Sequence, residues 1–234
     1  MSDKPIAIVT GVGPGTGSAI VRRVAAEGFR VIALARSQDR IRALERELTD
    51  THAMICDVSR ESQVADAVAN IRKSYGSPNV LIHNAVGGGW GTFLEIEPKM
   101  LDRNFQVNVM GLLYLARALA PDMIKAGSGT ILVTGNTSAI RGKANFAGFA
   151  PTKAAQRILS ESIARDLGPR GIHVGYVLID AVIDVPRMRE RLPEAPDAFF
   201  IKPSAIADEL WHLYRQDPSA WSFLSEIRPF GEKW

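Results

Sequence analysis

The sequence predicts a single-domain α/β protein built on a doubly wound parallel sheet with helices on both faces. Short apolar runs alternate along the chain with longer segments of helical period. These runs are almost continuously apolar, as in strands that are buried on both faces of a parallel sheet. The 234 residues, 46% of them hydrophobic, suffice for one domain with a sizeable core. Right-handed crossovers between such strands produce a doubly wound sheet, so residues 1–234 are predicted to form one domain.

The first half of the chain supplies three pairs of a strand and a helix. The apolar runs IAIVT, VIALA and AMIC predict buried strands at 6–10, 31–35 and 53–56. Each run is followed by a segment of helical period, and glycine, a common helix stop, ends the first and the third of these segments. The predicted helices cover residues 16–28, 40–50 and 61–76.

The second half continues the alternation with more apolar helices. The runs VLIH, TILVTG and IHVGYVLI predict strands at 80–83, 130–135 and 172–179. The strongly apolar segment 112–127 predicts a helix between the first two of these strands. A further helix is predicted to begin near Pro151, because proline fits the first helical turn and disfavours helical backbone at the residue before it.

Residues 180–203 interrupt this alternation. The segment contains four prolines and reads as irregular structure. A long loop in a compact domain is often a lid or a binding loop. We therefore predict that 180–203 forms a substrate loop, with a surface excursion without function as the alternative.

Composition and charge exclude several classes of protein. A formal net charge of +3 is too small to indicate a nucleic-acid or membrane partner. The single cysteine, Cys56, rules out an intrachain disulfide, fits the reducing cytoplasm and is predicted to be a core residue. The start of the chain lacks the pattern of a signal peptide, and no run of about 18 apolar residues predicts a membrane span. We expect a cytoplasmic protein without a metal site.

The stretch TGVGPGTGSAI places three glycines between the first strand and the first helix. Gly11, Gly15 and Gly17 allow positive φ and let the backbone approach a ligand without an intervening Cβ. The helix that follows presents free N–H groups and the positive end of its dipole, which together favour a pyrophosphate. Because the strand and the helix flank it as the dinucleotide fingerprint requires, the loop predicts a dinucleotide site.

Five motifs, in order, resemble those of the short-chain dehydrogenases/reductases, a family of NAD(P)-dependent oxidoreductases with the Rossmann fold. Residues 10–17 resemble the cofactor motif T-G-x-x-x-G-x-G, and Asp57 in CDV resembles the aspartate that holds the adenine ring. HNAVGG (83–88) resembles N-N-A-G, and NVMG (108–111) resembles N-V-x-G. The region from SAI (138–140) to TKAA (152–155) matches the region of the family that contains its catalytic serine and the motif Y-x-x-x-K. The chain is identified as a divergent member of this family.

The resemblance implies that a nicotinamide dinucleotide lies across the ends of the strands. Its contacts come from the glycine loop, from the residues that follow the second, third and fourth strands, from the lysine helix and from the end of the sixth strand. The implied cofactor-binding residues are Gly11, Gly15, Thr16, Gly17, Arg36, Asp57, Val58, Asn84, Ala85, Lys153 and Ile179.

The end of the second strand favours NADP(H) over NAD(H). An acidic residue there would hold the ribose hydroxyls of NAD, but the sequence has Ala35 followed by Arg36. A guanidinium suits a 2′-phosphate through bidentate hydrogen bonds or by stacking on adenine, and Arg40 is placed to assist one helical turn on. NAD(H) stays the alternative, because the glycine loop lacks the second basic residue that many NADP(H)-preferring members carry.

The catalytic positions of the family are only partly kept. In the family a tyrosine hydroxyl gives a proton to the carbonyl oxygen, while a lysine lowers the pKa of that tyrosine and binds the nicotinamide ribose. Lys153 and Asn108 match this lysine and the asparagine that holds a relay water, but Phe149 stands in place of the tyrosine. At the family's usual interval before Phe149 the chain has Asn136, and Ser138 follows closely. The predicted catalytic residues are therefore Asn108, Ser138 and Lys153.

Other departures lie around the same position. His83 and Val86 replace the first asparagine and the glycine of N-N-A-G, and IDAVID replaces the usual P-G after the sixth strand. We interpret His83 as a polar residue at a strand end rather than a base. Within the family, the 2,4-dienoyl-CoA reductases also lack the tyrosine and reduce a conjugated C=C bond. Candidate proton donors are a bound water, Ser138, Asp180, Asp184 and Lys153.

Two functions are therefore open. The first is an oxidoreductase that moves hydride between NADP(H) and a small organic substrate, a carbonyl, an alcohol or a conjugated C=C compound, by a proton path without tyrosine. The alternative is a dinucleotide-binding protein without turnover that acts as a sensor or a partner subunit. Helices 112–126 and 152–167 carry more apolar residues than one covered sheet face needs, which predicts a homodimer or homotetramer.

Overall fold

The computed structural model describes residues 4–232, without the side chains of Asp39 and Arg40. Its strands are β1 (Ile6–Thr10), β2 (Arg30–Ala35), β3 (Thr51–Ile55), β4 (Val80–His83), β5 (Gly129–Asn136), β6 (Ile172–Ile179), β7 (Val182–Ile183), β8 (Phe200–Ile201) and β9 (Leu224–Ile227). Its α-helices are α1 (Thr16–Ala26), α2 (Gln38–Glu47), α3 (Glu61–Tyr75), α4 (Pro98–Phe105), α5 (Gly111–Ala126), α6 (Ala150–Leu167), α7 (Pro186–Arg191) and α8 (Pro203–Tyr214). A π-helical turn (Gln106–Met110) joins α4 to α5.

The main sheet is parallel and has the order β3-β2-β1-β4-β5-β6-β9. Strand β1 lies at the point where the order changes direction, because Thr10 pairs with Leu34 on one side and with His83 on the other. In open parallel sheets, ligands bind outside the carboxyl ends of the strands at such a reversal. The predicted doubly wound sheet is confirmed, and it brings the loops after β1 and β4 to the same edge.

Apolar side chains cover both faces of the sheet. Ile8 belongs to the layer that packs against α3, α5 and α6, whereas Val9 belongs to the layer that packs against α1, α2 and α8. Both side chains are fully buried. Burial on two faces explains why the strand sequences are continuously apolar instead of alternating with polar residues.

Helices α4 and α8 and strand β9 were not among the predicted elements. Strand β9 pairs with β6 alone, at the edge of the sheet, and its residues alternate between exposed and half-buried. Such a strand needs no continuous apolar run, so the pattern that revealed the other strands is missing. Helix α4 has only eight residues, which is too short a stretch for a helical period to be recognised from the sequence.

The segment 180–203 is more ordered than predicted. It contains β7, α7 and β8, and β7 pairs with β8. Arg189 binds Asp184 through two hydrogen bonds of 2.7 and 2.9 Å and Asp197 through one of 2.5 Å. Its guanidinium also lies 4.0 Å from the ring centre of Phe200. The four prolines hid this order, which is held by contacts between side chains that are distant along the segment.

The stretch Pro98–Ala126 is, within residues 4–232, long and apolar enough by length and composition alone to cross a membrane. Leu112, Leu115 and Leu119 in this stretch are fully buried in the core between α3, α5 and the sheet. Packing in the core accounts for the hydropathy of this stretch.

Candidate dinucleotide and catalytic site

The glycine loop packs too closely for side chains at two positions. Gly11 has φ +66°, and a Cβ there would lie 2.5 Å from backbone atoms of Asn84 and Ala85. A Cβ on Gly17 would lie 2.6 Å from the carbonyl oxygen of Gly11. Glycine is therefore required for the loop after β1 to reach the loop after β4.

The N-terminus of α1 faces the same loop with its polar groups available. The helix begins at Thr16 after Gly15, and no side chain caps its first N–H groups. Thr16 Oγ1 is buried and has no hydrogen-bond partner among residues 4–232. Uncapped N–H groups, a hydroxyl without a partner and a loop free of Cβ atoms together fit the pyrophosphate of a dinucleotide.

A cleft of about 660 Å³ runs from this loop past the ends of β2, β3 and β4. Nine of the eleven predicted cofactor residues line it, whereas Lys153 and Ile179 do not. Ile179 is buried at the end of β6, beside Asn136 of β5. The lining residues from the predicted set are Gly11, Gly15, Thr16, Gly17, Arg36, Asp57, Val58, Asn84 and Ala85.

The far end of the cleft carries Arg36 and Ser37 at the start of α2. Arg36 is exposed and has no ion-pair partner among the side chains that the structure describes. Ser37 precedes the first residue of α2, and its side chain makes no capping hydrogen bond. Ser37 was not among the predicted site residues, although a serine directly before a helix is a familiar N-cap signal. Arg40, which was predicted to assist, has a side chain outside the described part of the chain.

Asp57 and Cys56 form the wall after β3. Asp57 Oδ1 accepts hydrogen bonds from Ser59 N at 3.1 Å and Ser59 Oγ at 2.7 Å, which fixes the carboxylate at the cleft. Cys56 is buried, and burial together with the nearby charge of Asp57 raises the pKa of its thiol to about 11. The thiol is therefore protonated at neutral pH, which supports its interpretation as a core residue rather than a nucleophile.

Asn84 ties three strands together at the wall of the cleft. Its Nδ2 donates to the carbonyl oxygen of Gly11 at 3.0 Å, and its Oδ1 accepts from Thr134 Oγ1 at 3.0 Å. The backbone N–H groups of Asn84 and Ala85 donate to Thr10 Oγ1 at 3.2 and 3.3 Å. These bonds connect the ends of β1, β4 and β5, so the cleft wall is preorganised by side chains behind it.

His83 lies behind this wall and is fully buried. Its Nδ1 is 3.2 Å from Thr10 Oγ1. Because that oxygen already accepts two backbone N–H groups, its own hydrogen points to His83 Nδ1. Burial, and to a smaller extent the charge of Lys153, lowers the pKa of His83 to about 3. A ring that stays neutral in the core supports the interpretation of His83 as a structural residue rather than a base.

Phe149 occupies the residue before α6 and is 8% exposed. The helix begins at Ala150, as the position of Pro151 predicted. Two ring carbons of Phe149 lie 3.8 Å from the position that a Cβ of Gly88 would occupy, so the ring faces the loop after β4. It brings an aromatic surface to that loop but no proton to donate.

Lys153 points into the core of the protein. Its side chain is 2% exposed, and Nζ donates to the carbonyl oxygen of Thr134 at 3.1 Å and to Gln156 Oε1. Burial lowers the pKa of the ammonium to about 7. Gln156 was not among the predicted site residues, because a single glutamine on a helix gives no signal of what it contacts.

Asn108 lies in the π-helical turn and is also fully engaged by protein groups. Its Oδ1 accepts from Gly87 N at 2.8 Å, and its Nδ2 donates to Gly87 O at 2.9 Å and to Thr152 Oγ1 at 2.8 Å. Its backbone carbonyl accepts from Gln156 Nε2 at 2.8 Å. The side chain therefore fixes the loop after β4 onto α6, and the carbonyl is already bound by an amide.

Ser138 and Asp184 are not among the residues that line the dinucleotide cleft. Ser138 lines a separate depression of about 530 Å³ beside α6, together with Phe146 and Arg157, rather than the dinucleotide cleft. The two hydrogen bonds from Arg189 hold the pKa of Asp184 below its usual range, so Asp184 is anionic at neutral pH. An anionic carboxylate cannot donate a proton, which removes Asp184 from the candidate donors.

Comparison with known proteins agrees with this architecture. Residues 5–195 match the family model described as short chain dehydrogenase. The chain is 30% identical over 172 residues to L-xylulose reductase of Bos taurus, covering 73% of this chain and 69% of that protein. It is 29% identical over 201 residues to 7alpha-hydroxysteroid dehydrogenase of Escherichia coli K12, covering 81% and 78%.

A solved structure shows the same likeness in three dimensions. The crystal structure of a metagenomic short-chain oxidoreductase in complex with NADP superposes with a TM-score of 0.84 at 28% identity. The superposition covers 96% of this chain and 97% of that one. The match to the family model, the sequence of motifs and the glycine-loop cleft all agree, and the chain belongs to the short chain dehydrogenase family of NAD(P)-dependent oxidoreductases.

Proposed function

We propose that this protein is an NADP(H)-dependent oxidoreductase that acts on a small organic substrate by a proton path without tyrosine. The observation that carries the proposal is the dinucleotide cleft, whose glycine loop, uncapped helix N-terminus and Arg36 follow one another along a single groove. When bound there, the cofactor supplies or accepts hydride. The protein supplies the binding surface and the position of the substrate.

The preference for NADP(H) rests on the start of α2. A 2′-phosphate at this end of the cleft would meet the exposed guanidinium of Arg36, the hydroxyl of Ser37 and the N-terminus of α2. All three favour a dianion, and no carboxylate among the described lining residues at this end repels it, since Asp57 lies after the neighbouring strand.

The substrate class follows from what is missing at position 149. Reduction of an isolated carbonyl needs a proton at oxygen as hydride arrives, which Phe149 and anionic Asp184 cannot give and which would have to come from Ser138, Asp180, Lys153 or a water. Hydride addition to a conjugated C=C bond leaves a delocalised enolate that solvent can protonate. The nearby side chains include Phe149 and the edge-to-face pair of Trp90 and Phe146, with ring centres 4.4 Å apart, which suits an apolar substrate. We therefore place a conjugated C=C compound ahead of a simple ketone.

The second candidate is a dinucleotide-binding protein without turnover. Lys153 and Asn108 make their hydrogen bonds to other protein groups, which favours this alternative. A sensor would keep the cleft and the segment 180–203, and would not need a proton donor. Turnover of any substrate with NADPH separates the two candidates.

Titration with NADPH and NADH, followed by nicotinamide fluorescence, tests the cofactor proposal. We expect NADPH to bind at least about tenfold more tightly than NADH, since hydrogen bonds to a charged group contribute about 1.5–3 kcal/mol. Stopped assays with conjugated enones and simple ketones then test the reaction. Equal affinity for both cofactors contradicts the NADP(H) preference. Absence of binding to either cofactor contradicts the proposal that the protein is an oxidoreductase.

We further propose a cytoplasmic homodimer or homotetramer. The single cysteine is buried and free, which suits a reducing compartment. Phe105 at the end of α4 and Ile158 of α6 are exposed at 38% and 51%, and both lie on or beside the helices predicted to form the interface. Light scattering at micromolar concentration measures the mass, and a monomer contradicts the proposal.

A further inference from the structure

The depression beside α6 carries three cationic side chains that the proposed function does not use. Its volume of about 530 Å³ is within the range of small-molecule sites, and it shares no lining residue with the dinucleotide cleft. Arg141 and Lys143 come from the loop that joins β5 to α6, and Arg157 comes from α6 itself. No Asp or Glu among residues 4–232 lines the depression, so every charged group at its surface is a cation.

Two of these cations lack full compensation by carboxylates. Lys143 is exposed and has no ion-pair partner in the part of the chain that the structure describes. Arg157 Nη1 lies 3.5 Å from Glu161 Oε2, but the other oxygen of that carboxylate already accepts from Arg165 Nη2 at 2.7 Å. Arg157 Nε is buried and makes no hydrogen bond within residues 4–232. A buried N–H without an acceptor carries a desolvation cost that an anion in the depression would remove.

The third cation, Arg141, is held at the edge of the depression by the end of β6. Its Nη2 lies 3.2 Å from Asp180 Oδ1, and Arg228 Nη1 lies 3.7 Å from the other oxygen of the same carboxylate. A guanidinium has five N–H donors, and the Arg141 side chain is 52% exposed. Arg141 is therefore oriented by Asp180 and keeps donors for a further acceptor.

Apolar side chains lie next to the three cations. Ile140 is 55% exposed, Pro151 is exposed, and Phe146 is half-buried with its ring edge-to-face against Trp90. This combination suits a ligand that has an acidic head and an apolar body, because burial of apolar area and charged hydrogen bonds then act together. A protein partner fits less well, since the cores of protein interfaces are depleted in lysine.

We propose that the depression binds an organic anion with an apolar body, either a fatty carboxylate or an alkyl phosphate. Arg141, Lys143 and Arg157 bind the head group, and Ile140 and Phe146 contact the apolar body. Carboxylate and phosphate oxygens both accept from guanidinium and ammonium groups, so these residues recognise the chemistry that the two ligands have in common. The site is independent of the proposed oxidoreductase function, because the dinucleotide cleft contributes no residue to it.

Calorimetric titration of the protein without cofactor tests the site with octanoate and octyl phosphate. Octanol lacks the charge of these probes, and inorganic phosphate lacks their apolar body. We expect octanoate or octyl phosphate to bind at least about tenfold more tightly than octanol and inorganic phosphate, because charged hydrogen bonds and burial of the alkyl chain both contribute. The tighter of the two amphipathic anions identifies the head group as carboxylate or phosphate.

Two variants that remove a charge locate the binding. Arg157→Met and Lys143→Met should each weaken binding of the anion about tenfold, since each loses a charged hydrogen bond. Lys143 is exposed, so Lys143→Met still tests the site if Arg157→Met fails to fold. Arg170→Met is the matched control, because Arg170 pairs with Asp166 at 2.8 Å and does not line the depression. Unchanged anion affinity in Lys143→Met and Arg157→Met overturns the proposal.

The competing occupant is a second copy of this chain, because α6 belongs to the predicted oligomer interface. Ile140→Asp places a carboxylate in the depression and should weaken anion binding at least about tenfold by like-charge repulsion, with an unchanged mass in light scattering. A lower mass in Ile140→Asp, with no anion bound by the wild-type protein, assigns the depression to the second copy and overturns the proposal.

NADPH separates this inference from the proposed function. Displacement of the bound anion by NADPH would make the depression part of the dinucleotide cleft and overturn the separate site. Anion binding that depends on Lys143 and Arg157 in a protein that binds neither NADPH nor NADH supports the site and contradicts only the oxidoreductase.

Discussion

Thr152 Oγ1 donates a hydrogen bond of 2.8 Å to the carbonyl oxygen of Phe149. The same hydroxyl accepts from Asn108 Nδ2 at 2.8 Å, so the start of α6 is fixed onto the π-helical turn. The backbone at position 149 is thus set by bonds that do not involve its ring. An aromatic ring of the same shape that carries a hydroxyl should occupy the same place.

Phe149→Tyr is therefore expected to gain carbonyl reduction. A general acid contributes about 10²–10⁴ in rate. We expect the lower end, because Lys153 is bonded to Gln156 instead of facing position 149. NADPH oxidation with a panel of ketones measures the gain, and Phe146→Tyr, an aromatic residue on the same loop, is the control. No gain, with unchanged NADPH binding, shows that Lys153 is too far removed to activate a tyrosine.

Arg36→Ala should weaken NADPH binding about ten- to a hundredfold and leave NADH binding nearly unchanged, since hydrogen bonds to charged groups contribute about 1.5–3 kcal/mol. Arg36 lines the cleft, whereas Arg46, on the last turn of α2, does not. Arg46→Ala is therefore the matched control for loss of a positive charge. An equal effect of Arg36→Ala on both cofactors would point to the adenine or ribose rather than the 2′-phosphate.

Gly11→Ala should destabilise the fold by about 3 kcal/mol or more, because it combines a left-handed backbone with overpacking. Its φ is +66°, and the new Cβ would lie 2.5 Å from backbone atoms of Ala85. A Cβ on Gly13 meets nothing within 4 Å, so Gly13→Ala is the control. Urea unfolding without cofactor measures both variants. Similar midpoints would mean that the loop after β4 moves freely.

Lys153 predicts a pH dependence of stability. The pKa of Lys153 is about 7 in the folded protein, whereas an ordinary lysine, as in the unfolded chain, has a pKa of 10.5. Unfolding at a pH between these two values therefore takes up a proton. Stability relative to Lys153→Met should rise by about 1.4 kcal/mol per pH unit above pH 7 and be flat below it, where the amine is charged in both states. Cys56, whose thiol pKa burial raises to about 11, is present in both proteins and cancels. Parallel curves of the two proteins between pH 7 and 9 would show that Lys153 stays charged when folded.

Arg189→Ala should loosen the segment 180–203. Arg189 connects Asp184, Asp197 and Phe200 across that segment, so its loss removes all three contacts at once. We expect proteolytic cleavage within 180–203 to be about tenfold faster, as expected for local opening. Arg187→Ala, on the same helix, is the control. If the segment is a lid, NADPH should restore protection in wild-type protein more than in Arg189→Ala.

The sequence alone determined the fold and most of the dinucleotide cleft. Strands that are buried on both faces must be apolar throughout, so their runs are visible without any knowledge of packing. Gly11 and Gly17 are fixed by backbone contacts that admit no side chain, and Arg36 follows a strand whose end must reach the cleft. Each of these requirements falls on one short stretch of the chain, so each can be recognised as a pattern of neighbouring residues in the sequence.

Only the tertiary structure decided what the catalytic positions contact. Lys153 sits where its motif predicted along α6, yet its ammonium binds Thr134 of β5 and Gln156 rather than lining the cleft. Ser138 is near the right place in the sequence but faces another depression. The hydrogen-bond partners of a side chain depend on which groups are close to it in three dimensions. A sequence motif gives only the spacing of residues along one helix.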